Sequence, residues 1–378
     1  MTILINPLFT VNYGQLLPLR LARFLGRAAV KQALKPMTTN AFTLQFLKRL
    51  GIAAVNMLTP LHAGLIVAYF GLRWLGRGDL WFVDALAYVL PWLFAPLVVL
   101  LPGALLRRSR LLLALTAAPT ALFLLTYGSL YLPRWPVRTA GPTFTVMTYN
   151  VLYLNWDADG VAAEIEAHEP DFFALRELEP PMAQALESHF ADRYPYREIE
   201  PGCGFFSRYP ILEYEAFRLA PGAYDRAQQF VLDVEGAEVN VVSVHPRSPP
   251  LRGFHPLGLP LGIPTGFANQ GRDADVRGLL ARLEGIDGPL VLIGDFNLTD
   301  QQSLYAPLTR RLRDAHRESG WGMGLTFTRF REIGLPMWRI DYVFHSPDLA
   351  SLSTTVGGYG GSDHRPVIAR LAFRGTEK

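Results

Sequence analysis

Three apolar stretches, residues 51–72, 80–101 and 111–132, crowd into one short region of the chain, and each is long enough to cross a lipid bilayer. A hydrocarbon core takes about 20 apolar residues as helix, the one single-segment form that leaves no backbone polar group unpaired there. Asp84 is the only acid inside the three. The expectation is three transmembrane helices over 51–132, so the chain cannot fold around one soluble core.

Charge divides at the same place. Residues 1–140 carry 14 Lys and Arg against 2 acids, a balance of +12, whereas the remainder carries 22 against 31, a balance of −9. Arg20, Arg23, Arg27, Lys31, Lys35, Lys48 and Arg49 precede the first stretch, and Arg107, Arg108 and Arg110 join the second to the third. Basic flanks stay cytoplasmic. Three crossings then put the acidic half outside, in a protein integral to the cell inner membrane.

Residues 1–50 set Leu17, Leu21, Phe24, Leu25 and Val30 among basic residues, which reads either as an interfacial amphipathic helix or as an unordered leader. The first apolar run begins too late for a cleavable signal peptide. Residues 133–142 hold three prolines and form an extended spacer, reaching at most about 33 Å at roughly 3.3 Å per residue. With Cys203 the only cysteine, no internal disulfide can form.

From residue 143 the pattern alternates strand and helix. Strands are expected at 144–149, 172–177, 203–208, 211–219, 228–234, 238–245, 290–295, 339–345 and 367–373, with helices at 159–168, 181–190, 272–283 and 301–311. Several apolar runs end in one polar residue: 144–150 in Asn150, 172–177 in Glu177, 241–245 in His245 and 290–295 in Asp295. Ligands of α/β sheets collect at that carboxyl edge. Further on come Arg339-Ile340-Asp341-Tyr342 and Gly361-Ser362-Asp363-His364-Arg365-Pro366. Hydrolysis of a phosphodiester must deprotonate water, neutralise an anionic phosphorus centre and meet charge on the leaving oxygen. Carboxylates, amides, imidazoles and a hard cation together supply these needs.

In these motifs, and in Gly294-Asp295-Phe296-Asn297 before them, residues 143–373 resemble the endonuclease/exonuclease/phosphatase superfamily. The resemblance implies a four-layer α/β sandwich, two mixed β-sheets flanked by helices, as a catalytic domain over 143–378. It implies Glu177 as principal metal ligand, with Asn150 and Asp363 at the metal or its waters. Asp295 would orient or deprotonate water, Asn297 and His245 would hold phosphate oxygens, and Asp341 would brace His364 against the transition state. Two positions depart from the family pattern: Leu152 stands where many relatives have an acid, and Arg176 precedes Glu177 where glutamine is usual. Arg176 is expected either to bind substrate phosphate, as Asn150 would, or to pair with a neighbouring acid.

Oxygen ligands without a cysteine cluster favour Mg²⁺ or Mn²⁺. The sequence therefore points to a membrane-anchored, metal-dependent phosphodiesterase acting on a phospholipid-like or small diester. A tethered nuclease and a degenerate binding module are the alternatives. Nucleic acid is disfavoured, because Lys378 is the only lysine of the acidic half. Residues 246–266 combine six prolines with Leu251, Phe254, Leu257, Leu259, Leu261 and Ile263, forming a loop that covers a greasy substrate, touches lipid or folds back on the domain. The charged residues of 272–282, Arg272 and Asp275 among them, read as a solvated helix face.

Overall fold

The computed structural model describes residues 39–375 except 79, 135–138, 140, 224–226, 255–262 and 332. The amphipathic segment expected in 1–50 thus falls outside the described residues up to residue 38, as do most of the spacer's centre and the middle of the proline-rich loop. Two compact units divide the chain, Met1–Leu58 and Thr59–Lys378. What is described of the first is the beginning of helix α1, Thr39–Trp74, whose remainder belongs to the second.

In the second unit α1 is followed by α2 (Trp81–Leu93), α3 (Leu97–Leu106) and α4 (Arg110–Tyr127). Two helical segments, Thr43–Trp74 and Arg110–Tyr131, are long and apolar enough to cross a membrane. The middle stretch departs from the expectation of three straight crossings: α2 and α3 are bent by 57° at a short break, so they count as a third span only if taken as one. Pro96 is the physical reason. It has no N–H to continue the helix and disfavours helical geometry at Ala95 before it.

The rest of the unit is a sandwich. One sheet has the order β13 (Leu349–Val356), β14 (Val367–Phe373), β1 (Thr143–Asn150), β2 (Phe172–Leu178), β4 (Gly202–Ser207), β3 (Tyr196–Glu200), and the other β11 (Arg313–Asp314), β12 (Asp341–His345), β10 (Leu290–Asp295), β7 (Ala237–Val244), β6 (Ala227–Val234), β5 (Ile211–Phe217). Their central strands are β1 (Thr143–Asn150) and β2 (Phe172–Leu178), paired parallel, and β7 (Ala237–Val244) and β10 (Leu290–Asp295), also parallel. Between the sheets alternate residues meet: Phe144, Val146, Phe172 and Ala174 from one face against Val239, Val241, Val291 and Ile293 from the other. The intervening residues face outward. Met147, Phe173 and Leu175 pack on α5 (Ala158–His168) and α6 (Pro180–Phe190). Val242, Val244 and Leu292 pack on α7 (Gln270–Leu283) and α8 (Tyr305–Arg311). The four expected layers are thus present.

Phe205 of β4 (Gly202–Ser207) stacks on Phe230 of β6 (Ala227–Val234) with 3.9 Å between ring centroids, joining the sheets one strand in from an edge of each. Truncating such a buried ring costs about 3–5 kcal/mol. The strands missing from the sequence expectation are β3 (Tyr196–Glu200), the two-residue β11 (Arg313–Asp314), β13 (Leu349–Val356) and the hairpin of β8 (Leu251–Phe254) with β9 (Ile263–Phe267). That hairpin is a separate two-stranded sheet, as proline density in a non-central strand requires.

Candidate active site

Where the inter-sheet alternation runs on past the apolar core it turns polar. Thr148 and Asn150 follow Phe144 and Val146, Arg176 follows Ala174, Ser243 and His245 follow Val241, and Asp295 follows Ile293. The periodicity that builds the core therefore aims these side chains into one rim at the carboxyl ends of the parallel strands. Asp341 arrives from antiparallel β12 (Asp341–His345), directly opposite Asp295.

Hydrogen bonds show the convergence. Asn150 Nδ2 donates to Glu177 Oε1 at 2.9 Å and to Asp295 Oδ2 at 3.1 Å. Its Oδ1 accepts from Leu152 N at 3.0 Å, so the amide has one sensible orientation: reversing it would set oxygen against two carboxylates. Asn150 is accordingly a brace between carboxylates here, its oxygen held by the Leu152 N–H. Leu152, at φ 64°, supplies a backbone donor, which explains how the position works without an acid. Glu177 also has left-handed backbone, φ 56°, at a bulge between Arg176 and Leu178 that turns its side chain out to the rim.

His245 Nε2 lies 3.5 Å from Asp295 Oδ2 and 3.8 Å from Glu177 Oε1. His364 Nδ1 donates to Asp341 Oδ2 at 2.9 Å, and its Nε2 stands 3.6 Å from Asp295. Phe327 closes the edge of that imidazole at 4.9 Å between centroids. Asn297, at φ 50°, donates its backbone N–H to Asp295 Oδ1 at 2.8 Å and its Nδ2 to the Pro246 carbonyl at 3.0 Å.

Burial alone would raise the Asp295 pKa, but the His364 charge and the His245 hydrogen bond outweigh it, so its carboxylate stays ionised. Burial pulls the His364 pKa down, yet Asp341 and Asp295 carry it to about 10, and the imidazole is a cation at neutral pH. Desolvation, seconded by the Glu177 charge, raises the pKa of Asp363.

A metal fits this donor set. Asp363 Oδ1 is buried and has no hydrogen-bond partner among the described residues, and the carboxylate of Glu177 is near enough for its charge to act on Asp363. Asp295, Asp341 and His364 also bring one ligand atom each within 4.8 Å of the others. There the hydrogen bond from His364 to Asp341 already satisfies two of the three.

Arg176 corrects the sequence expectation. It is fully buried, and its Nη2 donates to Ser243 Oγ at 2.7 Å between the sheets, one layer beneath the rim. The helix at 272–282 corrects another: Arg272 is 2% exposed and Asp275 is fully buried. Asp275 holds Arg247 through its Nε and Nη2, each at 2.8 Å. Arg272 Nη1 donates to Tyr88 Oη at 2.6 Å and to the Asn297 carbonyl at 3.2 Å, tying the loop after Asp295 to α2. Asp84 of α2 accepts from Asn269 at 2.6 Å and from Gln302 at 2.8 Å.

Sequence reasoning missed Ser362, whose Oγ bonds the Asn150 carbonyl at 2.7 Å and accepts from His364 N at 3.0 Å. Its place in the run ending Asp363-His364 was the signal.

With this geometry in place, residues 147–364 match the Endonuclease/Exonuclease/phosphatase family. The chain belongs to that family. Among solved structures, a functionally unknown conserved protein from Enterococcus faecalis V583 is 16% identical, with a TM-score of 0.50 over 61% of this chain and 100% of its own. The endonuclease/exonuclease/phosphatase from Bacteroides vulgatus is 19% identical, with a TM-score of 0.49 over 62% and 100%. Sphingomyelinase C from Streptomyces griseocarneus is 23% identical, with a TM-score of 0.45 over 61% and 99%. No curated protein matches the chain. At these identities the structural likeness bears on fold alone, and the family member's chemistry has to be argued from its own residues.

Proposed function

We propose that the protein is a membrane-anchored, divalent-metal-dependent phosphodiesterase acting on a phospholipid-like or small diester. The observation that carries this reading is the bridge from Asn150 to both Glu177 and Asp295, with protonated His364 beside the second. An ionised base, a cationic acid and a carboxylate pair thereby share one rim.

Glu177 and Asp363 are the residues that would hold Mg²⁺ or Mn²⁺, oxygen donors suited to a hard ion. Bound there, the ion would neutralise phosphate charge and help the leaving oxygen. Asp295, ionised and fixed by Asn150 and the Asn297 N–H, orients the attacking water and takes its proton. His364 presents Nε2–H to the phosphoryl oxygen on which negative charge builds, while Asp341 fixes the ring and balances its charge. His245 and the Asn297 amide face the same oxygens. On the basic flanks of the apolar stretches, the catalytic domain lies outside the cytoplasm, anchored in the inner membrane.

Full-length protein in detergent should hydrolyse a bis-aryl phosphodiester with Mg²⁺, lose turnover in EDTA, recover it when Mg²⁺ is restored, and lose it as Asp295→Asn. Metal-independent turnover would refute the mechanism, and efficient DNA or RNA cleavage at physiological salt would replace the lipid-like substrate with a nucleic acid. A reporter phosphatase that works only outside the cytoplasm, fused after Lys378, tests sidedness: an inactive fusion rejects it.

A further inference from the structure

The antiparallel course of α1 and α2 fixes a depth scale. His62 Nε2 donates to the Leu93 carbonyl at 2.8 Å, which sets Leu93 level with a point twelve residues, or about 18 Å of helix, before Trp74. At that level Trp92 Nε1 donates to the carbonyl of Met337 at 3.0 Å. A loop of the catalytic domain therefore meets α2 at its last turn, level with the interior of the apolar span Thr43–Trp74 of α1.

The loop's composition matches the place. Phe330 is 49% exposed, Ile333 74% and Leu335 44%, three large apolar side chains that stand substantially in the open. They are held out rather than left loose. Thr328 N donates to Asp363 O at 2.9 Å, Thr328 Oγ1 to Leu335 O at 2.7 Å and Tyr359 Oη to Gly334 O at 3.3 Å.

The same ties form a groove of about 420 Å³ lined by Thr328, Arg331, Tyr359, Gly361 and Ser362, ending where the chain enters Asp363 and His364. Arg331 uses one nitrogen on the Gly361 carbonyl, and a guanidinium has further donors for a phosphate or an ester oxygen.

We propose that residues 330–337 dip into the bilayer that holds the apolar helices, and that the adjoining groove takes the headgroup of a lipid phosphodiester from that bilayer. This rests on the membrane-anchored reading above. The lipid's chains stay among Phe330, Ile333 and Leu335, its headgroup enters beside Arg331, and its phosphate reaches Asp363 and His364 without leaving the membrane surface.

The test uses full-length protein in phosphatidylcholine vesicles, labelled with an environment-sensitive fluorophore at one introduced cysteine; native Cys203 is buried. Ile333→Cys reports the loop, Leu125→Cys on α4 the anchor, and Leu212→Cys on the distant edge strand β5 (Ile211–Phe217) the solvent. Acyl-chain nitroxide lipid should quench the labels at 333 and 125 several-fold more than the label at 212. If 333 behaves as 212 while 125 is quenched, the inference falls and the anchor stands. If 125 is not quenched, both fall. For the groove, Arg331→Ala should raise KM for phosphatidylglycerol in vesicles several-fold more than for a soluble bis-aryl diester. Equal effects on both substrates, or no hydrolysis of the lipid by the unaltered protein, would overturn that part.

Discussion

Replacing Asp341 with Asn separates charge from shape at the centre of the site. The amide oxygen can still accept the His364 Nδ1–H that Asp341 Oδ2 accepts at 2.9 Å, so the ring keeps its place. What disappears is the largest of the effects that hold His364 at about 10 against an ordinary value of 6.5. That elevation corresponds to about 5 kcal/mol at 1.36 kcal/mol per pH unit, achieved in spite of burial. Without that charge the imidazolium is less stabilised and the His364 pKa falls towards its ordinary value. Turnover of a bis-aryl diester should drop by about 10²–10⁴, the usual scale for a misadjusted acid. The linked stability has a definite sign. A folded-state pKa above the unfolded 6.5 gives a contribution that is complete below pH 6.5 and lost as pH rises through about 10. Wild type should therefore lose stability relative to Asp341→Asn across that interval. Histidine-selective NMR titration of chelated protein reads the pKa directly. A variant whose His364 still titrates near 10, or whose turnover equals wild type, would refute the reasoning.

His316 has the opposite linkage: burial, then the Arg339 charge, lowers its pKa to about 4, so it folds as the neutral ring. Thermal stability should fall by about 3 kcal/mol as pH drops from 6.5 to 4, and His316→Gln should flatten that slope in a melting series. Arg176→Gln should reduce thermal stability by about 3 kcal/mol with KM for a small diester unchanged, whereas a raised KM at unchanged stability would restore the phosphate-binding expectation. Gly294→Ala should abolish folding or cost more than about 3 kcal/mol, because at φ 147° the new Cβ would meet the Val244 carbonyl oxygen at 1.9 Å; a melting temperature within error of wild type would contradict it.

Much of the sandwich was legible because β1, β2, β7 and β10 keep period two and end in one polar residue, which fixes both the core face and the rim. The strands that escaped notice lack that signal. β3 reads Tyr-Arg-Glu-Ile-Glu, a sheet edge with charges throughout, and in β13 a bulge between Ser351 and Ser353 interrupts the alternation. The break between α2 and α3 was visible as Pro96 but was outweighed by hydropathy. Arg176, Arg272 and Asp275 escaped for a different reason. A charge beside apolar residues looks solvated until its partner is known, and those partners, Ser243, Tyr88 and Arg247, lie far off in sequence. The site motifs announced their residue types but not the amide geometry that makes Asn150 a brace.

Asp84 and Tyr88 join the two halves of the molecule. A helix serving only as a lipid anchor has no use for a carboxylate and a hydroxyl on one face, since each is costly in hydrocarbon. Here Asp84 meets Asn269 and Gln302, and Tyr88 meets Arg272, which also holds the Asn297 carbonyl. On its other side Tyr88 packs 5.3 Å from Trp338, which stacks on Phe327 at 5.1 Å, the ring that abuts His364. Two routes thus lead from one apolar helix to both sides of the reacting centre, one to the loop after Asp295 and one to the imidazole. Asp273 balances the charge of Arg272, and Tyr88 of α2 and the Asn297 carbonyl share a donor nitrogen of the same guanidinium, so the anchor and the catalytic rim are stabilised by the same contacts.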